Sequence, residues 1–252
     1  MKHVPDATAA RSFLPDNTVD RASVDGVLSE LDEYAVEAAL QIRDAGEGEV
    51  TALTVGPEPA RAALSKSLQM GADAGVHVLD DAIHGSDAIG TSLVLANALQ
   101  RIGFDLVVCG MASTDGGMSV LAPMLAERLG VAQVTYAAEV SVHGTTVRAR
   151  RDGDVAVETV EATLPVVLSV TDQANEPRYP SFKGIMSAKK KPVETLSLAD
   201  LGIEPSDVGL AAAWSQVESY EARPPRTAGT IVTDDGAAAD TLVEFLVAGK
   251  FV

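Results

Sequence analysis

Residues Gly103–Gly130, GFDLVVCGMASTDGGMSVLAPMLAERLG, decide the fold that this sequence predicts. The segment opens with an apolar run of strand length, Asp105–Cys109, which Gly110 ends. A loop of small residues covers Met111–Gly117, and from Met118 onward the apolar side chains have helical spacing. A strand, a loop and a helix in this order present free backbone N–H groups that favour an anion such as phosphate. Many α/β turns bind nothing, and this motif is neither a Walker A loop nor G-x-G-x-x-G, so the loop alone leaves phosphate binding open.

Alternating helices and strands precede this segment. Helices are predicted after Ser29, from Glu58 to Met70 and after Ser86, with strands at Glu49–Val55 and Gly75–Leu79 between them. Such alternation indicates right-handed βαβ units. The sequence therefore predicts an α/β protein with a doubly wound, mainly parallel sheet of the Rossmann-like type.

After Gly130 the pattern becomes that of an antiparallel hairpin excursion. Its predicted strands are Val131–Val142, Val147–Arg151 and Val155–Ala162. Hairpin-type turns at His143-Gly144 and Asp152-Gly153 join these strands. A buried strand from Pro165 to Val170 then returns the chain to the parallel sheet.

The composition excludes several classes of protein. With 252 residues, of which 46% are hydrophobic and 22% charged, the chain can bury a large core. A net charge of −17 argues against binding to nucleic acid, and no apolar run approaches the roughly 20 residues of a membrane span. The first residues, Met1–Asp6, lack the apolar core of a signal peptide, so we expect a cytoplasmic protein. The single cysteine, Cys109, lies in a predicted buried strand, which favours a core role over a catalytic one.

Two segments near the C-terminal end have an unusual composition. Asn175–Pro192, NEPRYPSFKGIMSAKKKP, contains prolines that predict an irregular loop, yet its apolar residues are typical of a docking loop. From Val193 the chain is predicted to be loop-rich up to a helix over Ala237–Leu246. We interpret residues 193–252 as an arm packed against its own domain or a partner, and residues 1–192 as the main domain.

Several motifs carry a family resemblance. They are Lys2-x-Val4-Pro5-Asp6, Asp32-Glu33-x-Ala35-Val36-Glu37, Met70-Gly71-Ala72-Asp73, Leu164-Pro165-Val166-Val167, Asn175-Glu176-Pro177-Arg178-Tyr179, and Ile185-Met186 through Lys189-Lys190-Lys191. The last three form the most specific constellation. With these motifs the chain resembles, over nearly its whole length, the β subunit of electron transfer flavoprotein, also called FixA in nitrogen-fixation-type relatives.

The resemblance implies a heterodimer. An α subunit would hold most of the redox FAD, while this chain would bind structural AMP in an adenine-nucleotide-binding core and help to shape the FAD site. Its docking loop would grip acyl-CoA and related dehydrogenases, whose electrons, released for example in fatty acid β-oxidation, pass to an acceptor. Such a subunit is an electron carrier without bond chemistry of its own, so the resemblance does not imply an enzyme.

The resemblance also assigns residues to these roles. The implied cofactor-binding residues are Ser29, Glu30, Leu31, Asp32, Val55, Gly110, Met111, Ala112, Ser113, Thr114, Asp115, Gly116, Gly117, Met118, Ser119, Val120 and Leu121. The implied partner-docking residues are Tyr179, Phe182, Ile185 and Met186. Phe182 takes the position of the leucine that anchors partners in the family.

The nucleotide loop departs from the family pattern G-x-Q-A-I-D-x-D-x-x-Q-x-G. This chain keeps Gly110 and Asp115 of that pattern, and backbone N–H groups and Ser119 remain as donors. The replaced positions are Ala112, Gly117, Val120 and Ala122. Two alternatives stay open: a stand-alone adenine-nucleotide-binding protein, and a bifurcating member that binds a second FAD in this subunit.

A first strand is absent from the sequence pattern. Met1–Val27 is polar and contains Pro5 and Pro15, whereas family members have an apolar strand just before the Lys-x-Val-Pro-Asp motif. Without that central strand, each unpaired buried backbone group of its neighbours would cost about 1–3 kcal/mol. We therefore expect a break in the sheet, or strands drawn together, and a natural start roughly seven residues earlier, about a strand's length.

Overall fold

The computed structural model describes residues 1–225, 229–234 and 236–252. Helices pack against mainly parallel sheets, which confirms the predicted α/β class. The strands are β1 His3–Pro5, β2 Gly26–Leu28, β3 Thr51–Val55, β4 Ala74–Val78, β5 Leu106–Gly110, β6 Ala132–His143, β7 Thr146–Asp152, β8 Val157–Thr163, β9 Val166–Val170 and β10 Val193–Leu196. The helices are α1 Glu30–Ala45, α2 Arg61–Met70, α3 Ala88–Ile102, α4 Leu121–Leu129, α5 Phe182–Ala188, α6 Gly209–Ala212 and α7 Ala238–Ala248. Over the described ranges, none of these helices combines the length and the apolar character needed to cross a membrane.

The parallel strands lie in two sheets. The first has the order β10-β4-β3, and the second has the order β5-β9-β6-β7-β8. In the second sheet β5, β9 and β6 are parallel, while β7 and β8 continue it in antiparallel fashion. This arrangement confirms the predicted hairpin excursion. Every residue of β9 is buried, whereas β8 is largely exposed, as expected where a hairpin leaves a covered parallel sheet.

Helix α3 packs against both sheets, and helix α1 joins the second sheet to α2. On α3, Val94 and Ala98 join the apolar cluster around β4 and β10, whereas Ala96 joins the cluster around β5 and β9. On α1, Ala38 packs with the second sheet, and Leu40 packs with Met70 of α2. The apolar contacts of these two helices therefore hold the two sheets in one core.

The predicted break in the sheet is present, because β3 ends one sheet and β5 begins the other. Met1 hydrogen-bonds to the free edge of β3. Its terminal ammonium donates to the carbonyl of Leu53 at 2.9 Å, and Thr54 Oγ1 donates to the Met1 carbonyl at 3.0 Å. The earlier natural start stays a prediction.

The expectation that Met1–Val27 contains no strand is wrong. Strands β1 and β2 form a two-stranded antiparallel sheet in which Val4 lies opposite Val27, and Phe13 bridges to Val19 farther along. Both strands contact α2. Strands of three residues give no periodic signal, so this pairing depends on tertiary packing, which decides the conformation of short strands.

The segment Asn175–Pro192 contains a helix, α5, in place of the predicted irregular loop. Ser181 caps this helix by accepting a hydrogen bond from the N–H of Gly184 at 3.0 Å. The prolines at positions 177 and 180 precede the helix, where they do not disturb it. Helix α5 packs on the end of α2 so closely that a Cβ at Gly184 would lie 2.5 Å from the carbonyl oxygen of Gln69.

The chain divides into two compact units, Met1–Glu218 and Ser219–Val252. Strand β10 belongs to the first unit and pairs with β4 from Val193 onward, so the segment after residue 192 is not uniformly loop. In the second unit, α7 confirms the predicted C-terminal helix. The division into a domain over residues 1–192 and an arm over residues 193–252 stays a prediction.

We expect Gly184→Ala to lower the free energy of unfolding by about 1–3 kcal/mol, the usual cost of overpacking. The matched control is Gly46→Ala, where the new Cβ would meet only the Ile42 carbonyl at 3.7 Å. Urea unfolding followed by circular dichroism measures both variants. Equal stability of Gly184→Ala and the unmodified protein would contradict the close packing of α5 on α2.

Candidate functional site

The loop that follows β5 is hydrogen-bonded to the start of α1. The N–H of Gly110 donates to Oδ1 of Asp32 at 3.2 Å, and the N–H of Lys2 donates to Oδ2 of the same carboxylate at 2.7 Å. A Cβ at Gly110 would lie 2.6 Å from the carbonyl oxygen of Leu31. Only glycine permits the backbone to approach α1 this closely.

A second hydrogen bond joins the same two elements. The N–H of Thr114 donates to the hydroxyl of Ser29 at 3.3 Å, and Ser29 is fully buried. Ser29 is the N-cap residue of α1, as predicted, but its side chain makes no capping hydrogen bond to its own helix. The structure thus brings together the predicted cofactor segments Ser29–Asp32 and Gly110–Leu121.

Val55, the remaining predicted cofactor residue, is the last residue of β3 in the other sheet. The turn that follows is held by His77, whose Nε2 lies 2.8 Å from the carbonyl oxygen of Gly56. Met1 binds the edge of β3 and Lys2 binds the start of α1, so these two residues connect the end of β3 with the loop after β5. The predicted cofactor residues therefore lie at the carboxyl ends of parallel strands and at the start of α1, where α/β proteins bind ligands.

Two cations hold the carboxylate of Asp115. Lys2 Nζ donates to Oδ1 at 2.8 Å, and Arg21 Nη2 donates to Oδ2 at 2.6 Å. The N–H of Gly116 also donates to Oδ1, at 2.7 Å, and the Asp115 side chain is only 6% exposed. Burial acts to raise the pKa of Asp115, but the Lys2 ammonium and the hydrogen bonds from Lys2 and Arg21 outweigh it and hold this pKa well below its usual value of 3.8. The carboxylate is therefore ionised at neutral pH.

Left-handed backbone shapes the loop between Asp115 and α4. Gly117 has a φ of 61° and Ser119 has a φ of 58°. This conformation costs glycine little, but it is strained for a residue with a side chain, and such strain is concentrated at functional sites. Val120 precedes α4 and offers no side-chain acceptor to the first N–H groups of the helix.

Sequence reasoning missed two residues of this cluster, Lys2 and Arg21. Lys2 belongs to the Lys-x-Val-Pro-Asp motif, so the motif was a usable signal for it. Arg21 lies in the polar connection between β1 and β2, where no pattern marks it. Only the path of that connection brings its guanidinium to Asp115.

Ion pairs join the start of the segment proposed to dock partners, Asn175–Pro192 (the docking segment), to α1. Arg178 binds both carboxylate oxygens of Glu37, with Nε to Oε2 at 2.7 Å and Nη2 to Oε1 at 3.0 Å, and its Nη1 reaches Asp44 at 3.0 Å. The Glu37 side chain is 4% exposed, so this bidentate pair is partly shielded from water. Asn175 Nδ2 adds a hydrogen bond of 2.9 Å to the carbonyl of Tyr34.

Lys191 fastens the other end of the docking segment. Its Nζ donates to the carbonyls of Leu68 at 3.0 Å and Ala72 at 2.6 Å, at the end of α2. One lysine of the basic cluster therefore has a structural role. Between the two fastened ends, the predicted docking side chains are exposed: Tyr179 by 91%, Phe182 by 81%, Met186 by 50% and Ile185 by 39%.

Cys109 packs with the apolar cluster around Val107 and Val167. Burial raises the pKa of its thiol to about 11, so the nucleophilic thiolate is scarce at neutral pH. This agrees with a core role for Cys109. Within the described ranges, no group of three or more His, Cys, Asp or Glu side chains is arranged to hold a metal ion.

We expect Asp115→Asn to lower the free energy of unfolding at pH 7 by about 1–3 kcal/mol, because Lys2 and Arg21 lose the carboxylate they share. The pKa of Asp115 is lower in the folded chain than its usual 3.8, so its stabilisation is complete above that value and is lost as the pH falls toward the folded-state pKa. The difference between the two proteins should therefore shrink in acid. Urea unfolding from pH 7 downward measures it, with the exposed Asp154→Asn as control. A difference that does not change with pH would contradict the ionic role of Asp115.

Comparison with known proteins relates these features to a family. The family model described as electron transfer flavoprotein domain matches residues 16–201. The electron transfer flavoprotein subunit beta of Mycobacterium bovis is 48% identical over 259 aligned residues, which cover all of this chain and 97% of the relative. The same subunit of Megasphaera elsdenii is 32% identical over 264 residues, covering all of this chain and 98% of the relative. This chain therefore belongs to the electron transfer flavoprotein β-subunit family.

Proposed function

We propose that this chain is the β subunit of a heterodimeric electron transfer flavoprotein, which carries electrons from acyl-CoA and related dehydrogenases to an acceptor. Membership of the family supports the pairing with an α subunit. The observation that carries the docking role is the exposed apolar surface of the segment Asn175–Pro192, which Arg178 and Lys191 hold at both ends.

In the proposed complex the α subunit holds most of the FAD, which supplies the redox chemistry. This chain contributes surface to the flavin site and performs no bond chemistry of its own. Helix α7 offers a contact for the α subunit, because a helix that exposes this much apolar surface is typical of an interaction site. Its exposed apolar side chains are Leu242, Val243, Phe245 and Val247.

We assign AMP to the loop Gly110–Leu121. Within the described part of the chain, Arg21 Nη1 is buried without a hydrogen-bond partner, and a phosphate oxygen is an acceptor suited to it. The N–H groups and dipole at the start of α4 also favour an anion. The side chains of Ala112 and Val120 donate no hydrogen bond, so the contacts to AMP come from the backbone and from neighbouring residues.

The docking segment is suited to rapid partner exchange. Because its ends are fastened, it loses little conformational entropy when a dehydrogenase binds. Phe182 offers the largest exposed apolar side chain of helix α5. The exposed Lys183, Lys189 and Lys190 lie along the same segment, so the chain fits a partner surface that is apolar at its centre and acidic at its rim.

We expect the purified complex to release both FAD and AMP when it is denatured, because the two nucleotides occupy different sites. Liquid chromatography with mass spectrometry identifies and quantifies the released nucleotides. Release of FAD alone would contradict the assignment of AMP. A second equivalent of FAD without AMP would favour the bifurcating alternative, and a colourless chain that purifies alone with an adenine nucleotide would favour the stand-alone one.

We expect Phe182→Ala to weaken docking to an acyl-CoA dehydrogenase by about 2 kcal/mol or more, as for a central apolar anchor. The measurement is the rate of electron transfer as a function of the concentration of the electron transfer flavoprotein. FAD content and heterodimer stability should be unchanged, because the side chain is 81% exposed. Val155→Ala, at a fully exposed position on the connection from β7 to β8, is the control. Loss of FAD from Phe182→Ala would indicate a structural role instead.

A further inference from the structure

We infer that Arg21 is the residue that makes this site select a phosphate group, so that the loop Gly110–Leu121 prefers an adenine mononucleotide to the corresponding nucleoside. The inference rests on the proposed function and deepens it. It assigns phosphate recognition to the N-terminal segment of the chain, outside every residue predicted from the family pattern.

The first observation is the position of Arg21. The residue lies in the connection between β1 and β2, and its Nη2 reaches Oδ2 of Asp115 in the β5 loop at 2.6 Å. Lys2 Nζ donates to the other carboxylate oxygen, Oδ1, at 2.8 Å. Two cations therefore face a single loop carboxylate. The cluster keeps one net positive charge, which favours a further anion.

The second observation is the unused side of the guanidinium. Arg21 Nη1 is buried, and within the described ranges it has no hydrogen-bond partner, while the side chain as a whole is 34% exposed. A buried donor without an acceptor is costly, and a bound oxyanion would satisfy this one. A guanidinium can bind one oxyanion through one nitrogen and a second through the other, and its geometry matches phosphate as well as carboxylate.

The third observation is what the loop itself lacks. Ala112 and Val120 cannot donate to a phosphate, so the neutral donors of the loop are its backbone N–H groups and the hydroxyls of Ser113, Thr114 and Ser119. The whole chain carries a net charge of −17, which disfavours an incoming anion. Local cations therefore favour phosphate binding, and Arg21, beside Lys2, supplies one without depending on the replaced side chains.

The test uses the heterodimer of this chain with its α subunit, freed of bound nucleotide by dialysis in mild denaturant. Isothermal titration calorimetry then measures the affinities for AMP and for adenosine. Arg21→Gln should weaken AMP binding at least about tenfold, since a charge-assisted hydrogen bond is lost. Adenosine binding should stay the same within error, because the nucleoside has no phosphate. Arg11→Gln is the matched control, since Arg11 lies in the same connection and its side chain donates to the Pro5 carbonyl, at 3.4 Å, rather than to the loop after β5.

The outcomes separate the inference from the proposed function. If the unmodified heterodimer binds neither AMP nor adenosine, the proposed nucleotide site is wrong and the inference is overturned with it. If the unmodified protein binds AMP but Arg21→Gln weakens AMP and adenosine equally, Arg21 only supports the loop and the inference alone is overturned. If Arg21→Gln does not fold, the affinities for AMP and adenosine are compared in Arg21→Lys instead. Lysine lacks the second nitrogen of the guanidinium, so it cannot keep the bond to Asp115 and also place a donor where Nη1 lies, and AMP alone should bind more weakly.

Discussion

The carboxylate of Asp32 connects three parts of the chain that share no sheet hydrogen bond. It lies in the first turn of α1, and it accepts from the N–H of Lys2 beside β1 and from the N–H of Gly110 at the end of β5. Because β3 and β5 belong to separate sheets, backbone pairing does not position the β5 loop against the N-terminal segment. The Asp32 side chain positions the loop instead: the residue is only 9% exposed and each carboxylate oxygen accepts a hydrogen bond, so few polar groups are left unpaired.

Helix α1 serves both candidate sites. Its first turn holds the nucleotide loop through Asp32, and its middle holds the docking segment through Glu37 and Arg178. Loss of the Arg178 side chain would leave the buried Glu37 carboxylate without its cation, with hydrogen bonds from Gln41 Nε2 and the backbone N–H of residue 178, and this costs more than losing an exposed ion pair. A stable position of α1 therefore underlies both the shape of the loop and the presentation of Phe182.

The electrostatics of the proposed nucleotide site depend on the N-terminal segment as much as on the β5 loop. The protein as a whole is strongly acidic, so an anionic ligand depends on cations close to its site. Lys2 and Arg21 provide them, and Asp115 holds both in place while remaining ionised. Asp115 is the residue of the loop on which both cations converge.

The sequence by itself determined the order of helices and strands from Glu30 to Val170, because periodic apolar spacing and glycine breaks are local properties of the chain. It also marked the β5 loop and the start of α1, which meet in the structure, and the exposed apolar side chains of Asn175–Pro192, since short motifs carry them, while the roles of these residues stay predictions. Only the tertiary structure decided the pairing of β1 with β2, the helical conformation of α5, and the meeting of Arg21 with Asp115. Arg21 and Asp115 are 94 positions apart, and no local sequence pattern shows which distant side chains meet. Such contacts depend on how the helices pack across the two sheets, and that packing exists only in the folded chain.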